Sequence, residues 1–178
     1  ELGAVVLDAD AAGHEVLHDE RVQAAIRKRF GDAVFNKDGS VNRRAVAAIV
    51  FADTEDGAAA LDDLEAIVHP PIGRRLEKQI DEVKKQDADK AVVLDAAILL
   101  KAGWDNICTQ IIFVDVPRAV RIQRAAARGW SPDELDARDA RQTPIDQKRA
   151  AADVVIDNSG DLADTFAQVD QFWHSLDL

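Results

Sequence analysis

Short apolar runs that stop on polar or acidic residues, with helical stretches between them, decide what this chain can fold into. Ala4–Leu7 runs into Asp8-Ala9-Asp10, and Ala91–Asp95 opens into the stretch Leu94–Lys101. Gln110–Val116 is a third run, and Val154–Asp157 a fourth that passes into Asn158-Ser159-Gly160. Valine and isoleucine dominate them, as in strands buried in a parallel sheet. Strands that alternate with helices predict an α/β fold, whose ligands collect beyond the carboxyl ends of the strands.

The helical stretches are legible from spacing. Val22, Ile26 and Phe30 lie four apart within Gly13–Phe30, and Arg43–Phe51 predicts a shorter helix after the turn Asn36–Ser40. Leu61, Leu64, Val68, Ile72, Leu76, Ile80 and Val83 keep steps of three and four, a stripe that needs a packed partner. Pro70-Pro71 falls inside it, and proline removes an amide donor, so a break or kink is expected beside His69. Gln86–Lys90 reads as a charged linker. Pro117–Gly129 is a helix with Arg121, Arg124 and Arg128 on one face. Ser131, Pro132 and Glu134 then spell a capping box, restarting a helix to about Arg141; Thr143-Pro144 begins another, and Leu162–Leu176 closes the chain.

At 178 residues the chain is long enough for a single domain with subdomain insertions. A net charge of −11 argues against nucleic acid and anionic membranes as partners, and no apolar run is long enough for a transmembrane helix. A compact anionic ligand is compatible with this charge, because clustered arginines oppose it locally. Cys108 is alone, which excludes a disulfide framework and a cysteine-rich zinc site and fits a reducing cytoplasm. No methionine occurs, and Glu1-Leu2-Gly3-Ala4 reads like a helix end and its glycine cap entering a strand, so a preceding segment is expected.

Asp8 and Asp10, two apart at a strand tip, are expected to point the same way. A carboxylate there can accept the proton of a substrate hydroxyl; either acid also fits a helix N-cap, the structural role being the stronger reading for Asp8. Arg121, Arg124 and Arg128 suit the spread negative charge of a transferring phosphoryl group. The alternative is a solvated face paired with Asp133, Glu134 and Asp136. The break at Gly129-Trp130-Ser131 between two charged helices is the pattern of a mobile lid. His14 and His18 lie four apart with no third ligand, so no metal site is expected; His69 stands beside the proline pair. Acids and arginines thus fall where a phosphate-handling enzyme, a kinase of the nucleotide type, would need them.

Six segments, in order and over nearly the whole chain, resemble the dephospho-coenzyme A kinase family. They are Val6–Asp10 with His14; Val41-Asn42-Arg43-Arg44; Ile67–Ile72; Val93-Leu94-Asp95 through Ala102-Gly103-Trp104; Arg124 with Arg128-Gly129; and Gln142-Thr143-Pro144 with Lys148, Ala152-Asp153 and Ile156–Gly160. The resemblance implies a three-layer P-loop NTPase fold of the nucleotide-kinase type with a five-stranded parallel sheet. It further implies a helical substrate subdomain over residues 14–85 and a helical lid over 118–141. The implied reaction moves the γ-phosphoryl group of ATP, with Mg2+, to the ribose 3′-hydroxyl of dephospho-coenzyme A. Asp10, Arg124 and Arg128 take the catalytic places. Asp8, His14, Arg43 and His69 fall on the substrate side, while Arg124, Arg128 and Asn158 fall on the ATP side. The family's glycine-rich loop ending Gly-Lys-Ser/Thr is absent from these residues, and is expected to lie before Glu1; a proline and a glutamate of its second-strand motif are Ala97 and Lys101 here. Another small-metabolite kinase, or a member that binds nucleotide or coenzyme A without catalysis, are the competing readings.

Overall fold

The computed structural model describes residues 2–52 and 54–176. Glu1, part of the expected helix end, lies outside them; Leu2–Ala4 are irregular, with Gly3 at φ 90°. The chain forms two compact units, Gly3–Ala96 and Ala97–Leu178, the latter together with Glu1–Leu2.

Gly3–Ala96 holds β1 (Val5–Asp8), α1 (Ala9–Val16), α2 (Glu20–Phe30), α3 (Arg43–Val50), α4 (Glu55–Gln86) and β2 (Val92–Asp95). β1 and β2 pair in parallel, Val5 on Val92 through Asp8 on Asp95, with the helices as the crossover that parallel pairing demands. Both strands read Val-Val-Leu-Asp. The helices enclose their own core of Val22, Ile26, Val34, Val46, Val50 and Ala60, with Ile26 and Val34 wholly buried. This is the four-residue stripe of α2 meeting α3 and the first half of α4.

The expected helix Gly13–Phe30 is two helices. Asp19 interrupts it by accepting hydrogen bonds from the amides of Arg21 and Val22, which begins α2 afresh. Gly31, at φ 78°, then ends α2 in a conformation that disfavours a side chain. The break expected at Pro70-Pro71 does not occur: α4 runs through both prolines. Two adjacent rings remove two donors from one turn, while buried Ala60 on one side and buried Ile72 and Leu76 on the other hold both halves in place. Packing overrides the local penalty.

Ala97–Leu178 holds β3 (Ile112–Asp115), α5 (Arg118–Ala126), α6 (Pro132–Asp139), α7 (Ile145–Ala151), β4 (Val154–Asp157) and α8 (Leu162–His174). β3 and β4 are again parallel, and again each ends on an aspartate, Asp115 beside Asp157. Trp104, Ala125, Leu135 and Ile156 are buried. The described residues thus supply four strands in two pairs, the number read from the sequence pattern, where the resemblance implied five. No helix among them is long and apolar enough to cross a membrane.

Candidate active site

The opening acids do not share a strand. Asp8 ends β1 and caps α1, its carboxylate accepting the Ala11 amide at 3.0 Å. Asp10 is already in the first turn of α1, where a negative charge suits the positive end of the helix. The expectation that both side chains point the same way is therefore corrected: the chain leaves extended geometry at Ala9, one residue before Asp10, because the cap starts the helix there. Asp10 is exposed, and its carboxylate has no partner among the described residues. His14 stands four positions on, so the two share a face of α1.

The opposite face of α1 lines a cavity of about 240 Å³ together with α4. Its polar wall is Asp8, Gln79 and the ion pair of Glu15 with Arg75. Asp10 and His14 are not among its lining residues. Arg43 is exposed in the first turn of α3, just after Asn42, which caps that helix by accepting the Ala45 amide at 3.1 Å. His69 is half-buried within α4.

In the other unit, α5 and α6 form a hairpin. Ser131 and Glu134 make the capping box expected from sequence, through bonds of 3.2 Å and 2.8 Å. Arg118 forks onto Asp136, at 2.9 Å and 2.7 Å, and Arg121 reaches Asp139 at 2.5 Å. The Arg138 guanidinium lies over the Trp130 ring, 4.0 Å from its centre. The arginines of α5 are thus divided. Arg118 and Arg121 hold the hairpin shut, whereas Arg124 and Arg128 are exposed and make no side-chain hydrogen bond or ion pair among the described residues. Asp136, expected as a partner for the stripe Arg121, Arg124 and Arg128, pairs with Arg118 instead, and Asp139, the partner of Arg121, was not among the expected acids.

Each strand-end carboxylate of this unit is already employed. Asp115 pairs with Arg149 of α7 at 2.6 Å. Asp157 accepts the Ser159 amide at 2.8 Å, and hydrogen bonds from Ser159 hold its carboxyl below the ordinary value. Asn158 is half-buried; its Oδ1 accepts the hydroxyl of the buried Thr165 at 3.3 Å, which leaves its amide hydrogens free to donate. Ala97 lends its main-chain carbonyl to the Lys148 ammonium at 3.2 Å, a bond that any residue's carbonyl could accept. Lys101 donates to the Arg141 carbonyl at 3.4 Å. Cys108 is half-buried, and burial first, then Asp105, pushes its thiol up, away from the reactive thiolate.

Asp8, Asp10, His14, Arg43 and His69 belong to one unit; Arg124, Arg128 and Asn158 belong to the other. Among the described residues, no three histidine, cysteine, aspartate or glutamate side chains are grouped so as to hold a metal ion.

The comparisons with known proteins agree among themselves. The family model described as dephospho-CoA kinase matches residues 1–164. A dephospho-CoA kinase of Symbiobacterium thermophilum is 40% identical over 177 residues, which cover 98% of this chain and 72% of the relative. One from Aquifex aeolicus is 35% identical, with 99% of this chain and 87% of the relative covered. A crystal structure from Thermus thermophilus superposes with a TM-score of 0.77 at 30% identity, over 98% of this chain and 85% of that one. The dephospho-CoA kinase structure from Campylobacter jejuni, 22% identical, has the same fold, with a TM-score of 0.68 over 97% and 87% of the two chains.

Proposed function

The chain belongs to the dephospho-CoA kinase family, which makes it a phosphotransferase of coenzyme A synthesis, and from that premise we propose how its own residues divide the work. The acceptor is the ribose 3′-hydroxyl of dephospho-coenzyme A, and the group transferred is the γ-phosphoryl of ATP. Asp10 accepts the hydroxyl proton as the new O–P bond forms and the bond to the leaving ADP oxygen breaks. Arg124 and Arg128 neutralise charge on the phosphates, and Asn158 donates to the adenine with the amide hydrogens that Thr165 leaves free. Arg43, with His14 and His69, serves the substrate side, while Asp8 keeps α1 and hence Asp10 in register. Magnesium arrives with ATP and supplies charge neutralisation there. The residues 14–85 act as the substrate subdomain and 118–141 as the lid, in the cytoplasm.

The observation that carries this reading is the idleness of the charged groups assigned to it. Arg124 and Arg128 are unpaired among the described residues, beside two arginines that each form an ion pair. Arg43 sits at the positive end of α3, whose first turn contains no acid. That placement costs the helix about 0.3–1 kcal/mol and gains nothing until an anion arrives. Asp10 is likewise exposed and unpaired. Such groups add little or nothing to the fold through side-chain pairing, and a phosphorylated ligand gives them a purpose.

The test is a coupled ADP-release assay with ATP. Dephospho-coenzyme A should drive ADP release in preference to adenosine, pantetheine and other small alcohols offered in competition. Equal turnover of another acceptor would assign a sibling kinase. Binding of dephospho-coenzyme A without ADP release would sink the catalytic reading.

A further inference from the structure

Lys148 belongs to a matched segment that the proposed chemistry does not use. It lies in α7, and its Nζ donates both to the Gln142 side-chain oxygen and, at 3.2 Å, to the Ala97 carbonyl. Gln142 stands in the junction between α6 and α7; Ala97 stands just past the end of β2. A second lysine repeats the connection, since Lys101 reaches the Arg141 carbonyl. Burial makes the Lys148 ammonium less basic than usual; Asp139 opposes that effect and Arg121 adds to it. An ammonium so placed costs free energy unless its hydrogen bonds return it, and its two acceptors come from segments 45 residues apart in sequence.

The hairpin of α5 and α6 is internally stiff, closed by Arg118–Asp136 and Arg121–Asp139. Movement of its arginines relative to the rest of the unit must therefore be taken up at its ends, and the far end is the junction that Lys148 grips. We infer that Lys148 is a positioning residue for the lid: by latching Gln142 to the Ala97 carbonyl it sets where Arg124 and Arg128 stand when ATP binds. The inference rests on the proposal that those arginines meet the ATP phosphates. The acceptor on the β2 side is main chain, so the latch does not depend on which side chain stands at position 97.

Two readouts separate the latch from the function it serves. Amide hydrogen exchange on the ligand-free chain should show Arg141 and Gln142 exchanging about tenfold faster in Lys148→Met and in Gln142→Leu, the factor expected when one charge-assisted hydrogen bond is lost. In the ADP-release assay both variants should raise the ATP KM by a similar factor with a smaller change in kcat, and combining them should add little. Lys148→Arg should restore much of both. Unchanged exchange in the two variants overturns the latch whatever the activity. Faster exchange with an unchanged ATP KM overturns the positioning role. Faster exchange in a chain whose unsubstituted form releases no ADP overturns the functional reading while leaving the latch in place. Gln142→Leu keeps the test decisive should Lys148→Met not fold.

Discussion

At the scale of single residues, two neighbouring aspartates show how little separates a structural acid from a chemical one. The Asp8 carboxylate accepts the Ala11 amide, whereas Asp10, favoured only by the positive end of α1, has no side-chain partner among the described residues. Asp10→Asn should therefore leave stability and ATP affinity nearly intact while turnover falls by about 10²-fold or more, the usual share of a general base. Steady-state kinetics on the variant will check it, and an unchanged kcat removes Asp10 from the chemistry. Asp157 offers a titration rather than a rate. Ser159 holds its carboxyl below the ordinary value of 3.8, so the folded state prefers the carboxylate. The stability this contributes is present above the unfolded pKa and disappears as pH falls through the lower folded one. Ser159→Ala should move the Asp157 carboxyl back up toward 3.8, followed by carboxyl chemical shifts through an acid titration. The sequence singled out both Asp8 and Asp10, yet misjudged their geometry. A strand and a helix N-cap both begin with an apolar run reaching Asp, and only the carboxylate's acceptance of a helical amide tells them apart.

At the scale of elements, the strands were readable because a run such as Val92-Val93-Leu94 has one good solution, a strand buried in a parallel pair. The capping box of α6 was readable for the same reason: Ser131 and Glu134 satisfy each other at short range. What failed was the weighing of local against long-range effects. Pro70-Pro71 argued for a break and lost to burial on both sides, while the continuous spacing of Val22, Ile26 and Phe30 hid the fresh start that Asp19 imposes. The latch of Lys148 had no sequence signal at all, since one of its acceptors is a main-chain carbonyl. Gly57 shows the same tension inside α4. Glycine to alanine in a helix ordinarily stabilises, but a Cβ at Gly57 would stand 2.3 Å from the Ala52 carbonyl oxygen, which as main chain cannot swing aside. Gly57→Ala is expected to lower stability by about 1–3 kcal/mol, the range for overpacking, measured by urea unfolding. A gain would mean the loop before α4 yields freely.

At the scale of the whole molecule, charge is arranged against the ligand everywhere except on a few helices. Each strand ends on an aspartate, and the parallel registers set Asp8 beside Asp95 and Asp115 beside Asp157. Against a net charge of −11, the exposed Arg124 and Arg128 are a local source of attraction for a triphosphate. The ATP KM should consequently rise severalfold between about 0.1 M and about 1 M salt, as the Debye length falls from about 10 Å to about 3 Å, with kcat much less affected. A flat salt profile would move ATP recognition onto uncharged contacts. One further consequence follows from β1 and β2 being the same four residues. Side-chain order is the same in both, so a strand from another molecule resembles the proper neighbour, and the intervening helices favour the right choice. Refolding from urea should then yield entangled dimers in proportion to protein concentration, detectable by size-exclusion chromatography, and replacing Val93 with threonine should suppress them by making the twins distinguishable.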